Sequence, residues 1–139
     1  MKAEKNPGRK ALCLIWAVLY GLTALLGLWI PRPDGLTQGL MTALSLLFFL
    51  PPWRMLVLAR REGDARTVGV LRWLSLLALV LTTGLLCIVI LTANAAEPVQ
   101  LTVHVLTGLL TAPMLCSGFY ALPLFCWAAL LMAALRKKK

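Results

Sequence analysis

The chain has 139 residues, of which 60% are hydrophobic and only 14% charged, and its 14 Lys and Arg outweigh 5 Asp and Glu for a net charge of +9. A small soluble domain leaves too large a share of its atoms in water to hide that much apolar surface, so composition excludes an ordinary soluble fold and points to lipid as the solvent. Cysteines without a CxxC pair and a single histidine exclude the usual zinc and dithiol redox spacings.

Asp, Glu, Lys and Arg are absent from residues 11–30, 37–50, 73–96 and 99–135. Crossing roughly 30 Å of hydrocarbon takes about 20 mainly apolar residues in a helix. Backbone groups in lipid must bond internally, and Leu and Ala dominate these stretches, so they read as helices rather than as the alternating strands of a barrel. The expected fold is all-α, an integral membrane four-helix bundle in a single transmembrane domain covering residues 1–139.

The first span is predicted over residues 11–30, opened by Arg9 and Lys10 and closed by the turn-forming Pro31-Arg32-Pro33-Asp34-Gly35. Its basic start resembles a secretory signal, but the apolar stretch is long and Leu28-Trp29-Ile30 is a poor cleavage site, so it is taken as a retained span. The second span covers residues 36–50. Pro51-Pro52 then interrupts it, because neither proline donates a hydrogen bond and the first is pushed from helical geometry by the second. That favours a break over a continuous kinked helix, with residues 53–61 as a short cytoplasmic segment lying at the interface.

The third span is expected over residues 67–93, with Arg72 close enough to its start to snorkel to the headgroups. Asn94-Ala95-Ala96-Glu97-Pro98 forms the next loop. Residues 99–135 would reach about 55 Å as one straight helix at about 1.5 Å per residue, too long for a single crossing. Two short spans would put the Arg136-Lys137-Lys138-Lys139 tail outside. The remaining arrangement has an outer segment over 99–112, a bend near Pro113 and a span over 114–135, with Gly118 and Pro123 as a second kink.

Alternating these spans puts every Lys and Arg except Arg32 on one side, which the positive-inside rule assigns to the cytoplasm together with both termini. A multi-pass protein of a cell membrane, most simply a bacterial inner membrane, is the expected location. Trp29, Trp53 and Trp73 fall at predicted interfaces, whereas Trp16 and Trp127 lie deeper and are expected to pack between helices.

The basic residues are juxtamembrane, which assigns them to topology and to anionic headgroups at the cytoplasmic face rather than to nucleic acid. Arg54, Arg60, Arg61, Arg66 and Arg72 are the expected contacts with anionic lipid. His104 shares a helix face with Thr107 and Thr111, a possible polar patch for a ligand or a proton against the plainer reading of a hydrated interfacial imidazole. Cys13, Cys87, Cys116 and Cys126 read as small packing residues, with Cys87 and Cys116 both in the outer half. Ala17 and Gly21, and Gly35, Gly39 and Ala43, recur at the four-residue spacing that lets helices approach closely in lipid, within the bundle or against a partner.

No carboxylate falls within a predicted span: Glu4, Glu62 and Asp64 are cytoplasmic, and Asp34 and Glu97 lie in outer loops. Proton-coupled exchange of the kind used by small multidrug exporters needs such an acid, so that mechanism is excluded despite the similar length. No catalytic triad, glycine-rich phosphate loop, HExxH motif, metal site or cofactor site is visible, and an enzyme is not expected. The expected role is a non-enzymatic bundle that self-associates or serves a larger membrane complex as an accessory subunit. The alternative is a small oligomeric channel or transporter for a neutral or weakly charged solute, with Thr82, Thr83, Thr107, Thr111 and Ser117 lining its path. An interfacial lipid-handling enzyme is a third possibility, resting on the basic face alone.

Overall fold

A computed structural model of the protein describes residues 7–30, 34–111 and 121–136. Among these the backbone is helical, with no strand. The elements are α1 (Pro7–Trp29), α2 (Gly35–Phe48), α3 (Leu50–Arg61), α4 (Ala65–Leu91), α5 (Glu97–Leu110) and α6 (Ala121–Leu135). Three helical runs are long and apolar enough to cross a membrane: Pro7–Trp29, Gly35–Arg61 and Ala65–Leu91.

Local chemistry sets most boundaries. Asp34 caps α2 by accepting from the Thr37 amide at 3.0 Å. Asp64 does the same for α4, accepting from the Arg66 and Thr67 amides at 3.1 and 3.2 Å. Between α3 and α4, Gly63 takes φ +69°, the left-handed geometry that a side chain resists. The Gly63 amide donates to the Arg60 carbonyl and the Asp64 amide to the Ala59 carbonyl, which closes the end of α3 in a Schellman turn.

The helix is interrupted, but at Phe49 rather than at Pro51-Pro52. Only Phe49 separates α2 from α3, its own dihedrals are helical, and the two form one 27-residue apolar run. The prolines fall in the first turn of α3, where amide donors have no carbonyl to reach in any case. The Trp53 amide then donates to the Phe49 carbonyl at 3.3 Å and the ladder resumes. Residues 53–61 therefore do not form a separate element lying apart from the bundle: Met55, Leu56 and Ala59 are buried, and α3 packs against both α1 and α4.

Helices α1, α2 and α6 each bury a narrow stripe at three- and four-residue spacing, as one side of a helix must. On α1 it is Leu19, Thr23 and Gly27, on α2 Met41, Ser45 and Phe48, and on α6 Pro123, Trp127, Leu130 and Ala134. The remaining faces are apolar and exposed, including Leu14, Leu25, Leu77 and Phe125, as lipid-facing surfaces are. The most extensive helix contact is α4 with α6.

Large side chains of the core gather around Phe48, whose ring lies 6.1 Å from that of Trp127, 5.8 Å from Trp16 and 6.0 Å from Tyr20. Trp127 is buried and Trp16 half-buried, whereas Trp29, Trp53 and Trp73 are exposed, the division that the sequence predicts. α6 has 15 residues, about 22 Å of helix, less than a full crossing. The expected bend near Pro113, the kink at Gly118 and the start of the span over 114–135 lie outside the described residues. Pro123 sits in the first turn of α6.

Candidate functional site

Polar chemistry collects at three levels along the bundle. At the first level, four points of the chain are tied together. The Arg9 guanidinium near the start of α1 pairs with Glu62 and Asp64 between α3 and α4, and donates to the Thr67 hydroxyl at 3.3 Å. Arg60 near the end of α3 donates to the Ala133 carbonyl and, at 2.6 Å, to the Arg136 carbonyl, satisfying carbonyls that the end of α6 leaves without helical partners. The start of α1, the turn from α3 to α4 and the end of α6 thus share one end of the molecule. The Thr67 hydroxyl, donating at 2.7 Å, and the Arg9 guanidinium hold the Asp64 carboxyl well below the usual carboxylate range.

The five arginines expected at anionic lipid fall in different places here. Arg54 and Arg61 line a groove between α1 and α3, and Arg72 lines another among α3, α4 and α6. Arg66 is exposed at the start of α4. Arg60 differs from the rest, its guanidinium being turned onto the end of α6.

The second level is a cleft of about 330 Å³ between α1 and α4, lined among others by Trp16, Tyr20, Phe48, Thr82, Thr111 and Trp127. Its character is aromatic and apolar. Trp16 Nε1 and Thr82 Oγ1 are buried and have no hydrogen-bond partner among the described residues, an expensive state for polar atoms away from water. Tyr20 donates its hydroxyl to the Leu109 carbonyl, tying the last turn of α5 to α1.

At the third level, a cavity of about 210 Å³ between α4 and α5 is lined by residues that include Thr92, Gln100, His104 and Thr107. His104 Nε2 is buried without a partner among the described residues. Gln100 donates to the Ala93 and Ala95 carbonyls at 2.8 and 3.0 Å and so holds the loop between the two helices.

The predicted patch of His104, Thr107 and Thr111 is therefore divided. His104 and Thr107 share the cavity between α4 and α5, whereas Thr111 lines the central cleft. The Thr107 and Thr111 hydroxyls donate to the Val103 and Thr107 carbonyls one turn back on their own helix. Thr83, bonded to the Leu79 carbonyl, is exposed on the surface, while Thr82 beside it is buried. Ser117 lies outside the described residues.

The small residues Ala17, Gly21, Gly35, Gly39 and Ala43 are all exposed, and a Cβ added at Gly21, Gly35 or Gly39 would meet nothing within 4 Å. They do not mediate close approach inside the bundle. Cys13 lies 3.9 Å from the Met55 sulfur, Cys87 is exposed and Cys126 half-buried, all as free thiols; Cys116 lies outside the described residues. Among the described residues no three His, Cys, Asp or Glu side chains come together.

Arg9, Arg60, Tyr20 and Gln100 escaped the sequence reading as tertiary partners. Two of their bonds run to backbone carbonyls on other helices, which no residue type signals. Compared with known protein families, curated proteins and solved structures, the chain matches none.

Proposed function

We propose that the chain is a non-enzymatic four-span protein of a cell membrane, most simply a bacterial inner membrane, that acts by assembling with further copies of itself or as an accessory subunit of a larger membrane complex. Three long apolar helices supply three crossings. The fourth is α6 with the apolar residues that precede it, which together have the length to cross. An even number of crossings is supported by the polar ties that join the start of α1 and the end of α6 at one end of the bundle. The concentration of Lys and Arg at that end favours the cytoplasm for both termini.

Assembly rests on the outward-facing small residues. In lipid, helix association is driven by close van der Waals packing, and small residues at four-residue spacing permit it. Ala17 with Gly21 and Gly39 with Ala43 offer two such surfaces, both free of intramolecular neighbours at the glycines. The absence of carboxylates from the three long apolar runs, and hydroxyls bonded to their own backbones beside His104, support a role without catalysis.

Extraction in a mild detergent followed by mass determination tests this reading. The wild-type chain is expected as a dimer or larger assembly, or with a co-purifying membrane protein. G21I and G39I together are expected to shift it to the monomer without unfolding it, since both positions face open space. A wild-type chain that behaves as a stable lone monomer contradicts the proposal.

A further inference from the structure

The groove between α1 and α3 encloses about 550 Å³ at the basic end of the molecule. Leu12 and Ile15 on α1 and Val57 on α3 give it apolar walls, and Trp53, Arg54 and Arg61 line the same space. Arg54 and Arg61 are two helical turns apart, about 10 Å along the axis of α3, and therefore lie on the same side of it. Both are exposed. Among the described residues the ion pairs of this end belong to Arg9, which holds Glu62 and Asp64. Among the described residues no carboxylate lines the groove, and neither Arg54 nor Arg61 forms an ion pair.

The other basic groove differs. It contains Asp64 beside Arg72 and Arg136, and its Arg60 is bonded to the end of α6. Of the two, only the α1–α3 groove combines uncompensated guanidinium groups with an apolar floor and an indole.

We propose that this groove is a binding site for one anionic phospholipid, with Arg54 and Arg61 holding its phosphate and an acyl chain lying along Leu12, Ile15 and Val57. The proposal rests on the reading of this end as a membrane face. A guanidinium presents several N–H donors in a planar fork that matches phosphate oxygens, and the bonds are charge-assisted. On that reading the exposed Trp53 falls near the interface, where an indole is favoured. Free phosphate would satisfy the arginines and leave the apolar walls uncovered; a phospholipid covers both.

The test is native mass spectrometry of the full chain in mild detergent with phosphatidylglycerol and phosphatidylcholine added together. Wild type is expected to retain one phosphatidylglycerol about tenfold in preference to phosphatidylcholine, as paired charge-assisted bonds predict. R54A/R61A is expected to lose that preference. R66A/R72A removes the same charge outside the groove and is expected to keep it. I15W, which fills the groove at an exposed position without changing charge, is expected to lose the bound lipid and guards against misfolding of the double variant.

Equal loss in both arginine pairs, or retention in R54A/R61A, overturns the proposal in favour of diffuse attraction. Displacement of the lipid by excess inorganic phosphate overturns it in favour of a free anion. A chain that requires detergent yet retains no phosphatidylglycerol loses this site alone. One that stays dissolved without detergent loses the membrane reading as well.

Discussion

The two halves of the bundle are built differently. The half nearer the basic end contains the bulky core of Phe48, Met55, Leu56, Leu71, Trp127 and Leu130, closed off by the ties of Arg9 and Arg60. The opposite half buries Met41 and Leu85 but otherwise small or hydroxyl-bearing residues, Thr23, Gly27, Thr82, Thr107 and Gly108, and its loop is held by Gln100. One half is stabilised by interlocking large side chains and long-range charge. The other buries smaller side chains, with the Thr23 and Thr107 hydroxyls bonded to carbonyls one turn back and Thr82 without a partner among the described residues. Stability should therefore be concentrated towards the basic end, and that asymmetry can be broken by substitution.

The largest effect is expected from Leu56, which is 2% exposed and belongs to the central cluster. L56A leaves a cavity that rigid neighbours on α1 and α4 cannot close, and is expected to cost about 3 kcal/mol in detergent-based unfolding. T107A, at an equally buried site in the other half, removes a hydroxyl bonded only within its own helix and is expected to cost less than about 1 kcal/mol. Equal costs would abolish the contrast.

Next come the ties at the two ends. R60A removes a charged donor from two carbonyls and is expected to cost about 2 kcal/mol, with the end of α6 exchanging its amides faster. Q100A removes neutral bonds at an exposed loop and is expected to cost about 0.5 kcal/mol, with no change in α6.

The smallest effect concerns pH. The carboxyl of Asp64 is lowered in the folded state, so its contribution is complete above its ordinary value of about 3.9 and is lost as pH falls towards the folded value. Asp34 is shifted the same way by Thr37 and adds a second, weaker dependence at the other end. D64N is expected to flatten most of the acid destabilisation below about pH 4, and D34N much less of it. Thermal melts of the three proteins from neutral to acid pH read the difference. A larger flattening in D34N would reverse the asymmetry.

How much of this was legible in the sequence depends on the range of the interaction. Charge-free stretches rich in Leu and Ala declared helices, whereas the caps supplied by Asp34 and Asp64 were not anticipated, although each bond reaches only two or three residues. Partition of the tryptophans followed from their distance to the nearest charges. The interruption was placed at Pro51-Pro52 rather than at Phe49 because what matters is where a proline sits in a turn. In the first turn of α3 its missing donor costs nothing, and a restart after Phe49 puts both prolines there. Arg9 and Arg60 find partners more than fifty residues away, a pairing that composition cannot announce. Nor does the sequence tell Thr82 from Thr83, adjacent and chemically identical, of which one is buried without a partner among the described residues and the other bonded and exposed.

The central claim is a membrane-embedded bundle whose chain starts and finishes on the same face. It is tested most directly by labelling single cysteines with a membrane-impermeant thiol reagent in intact cells and in inverted vesicles. The cysteines would be placed at Lys2, at Ala95 and at Lys138 in a chain whose own four cysteines are replaced by Ala. The account predicts that the Lys2 and Lys138 positions label only from the cytoplasmic face and the Ala95 position only from the opposite one. Labelling of the two terminal positions from opposite faces would contradict it.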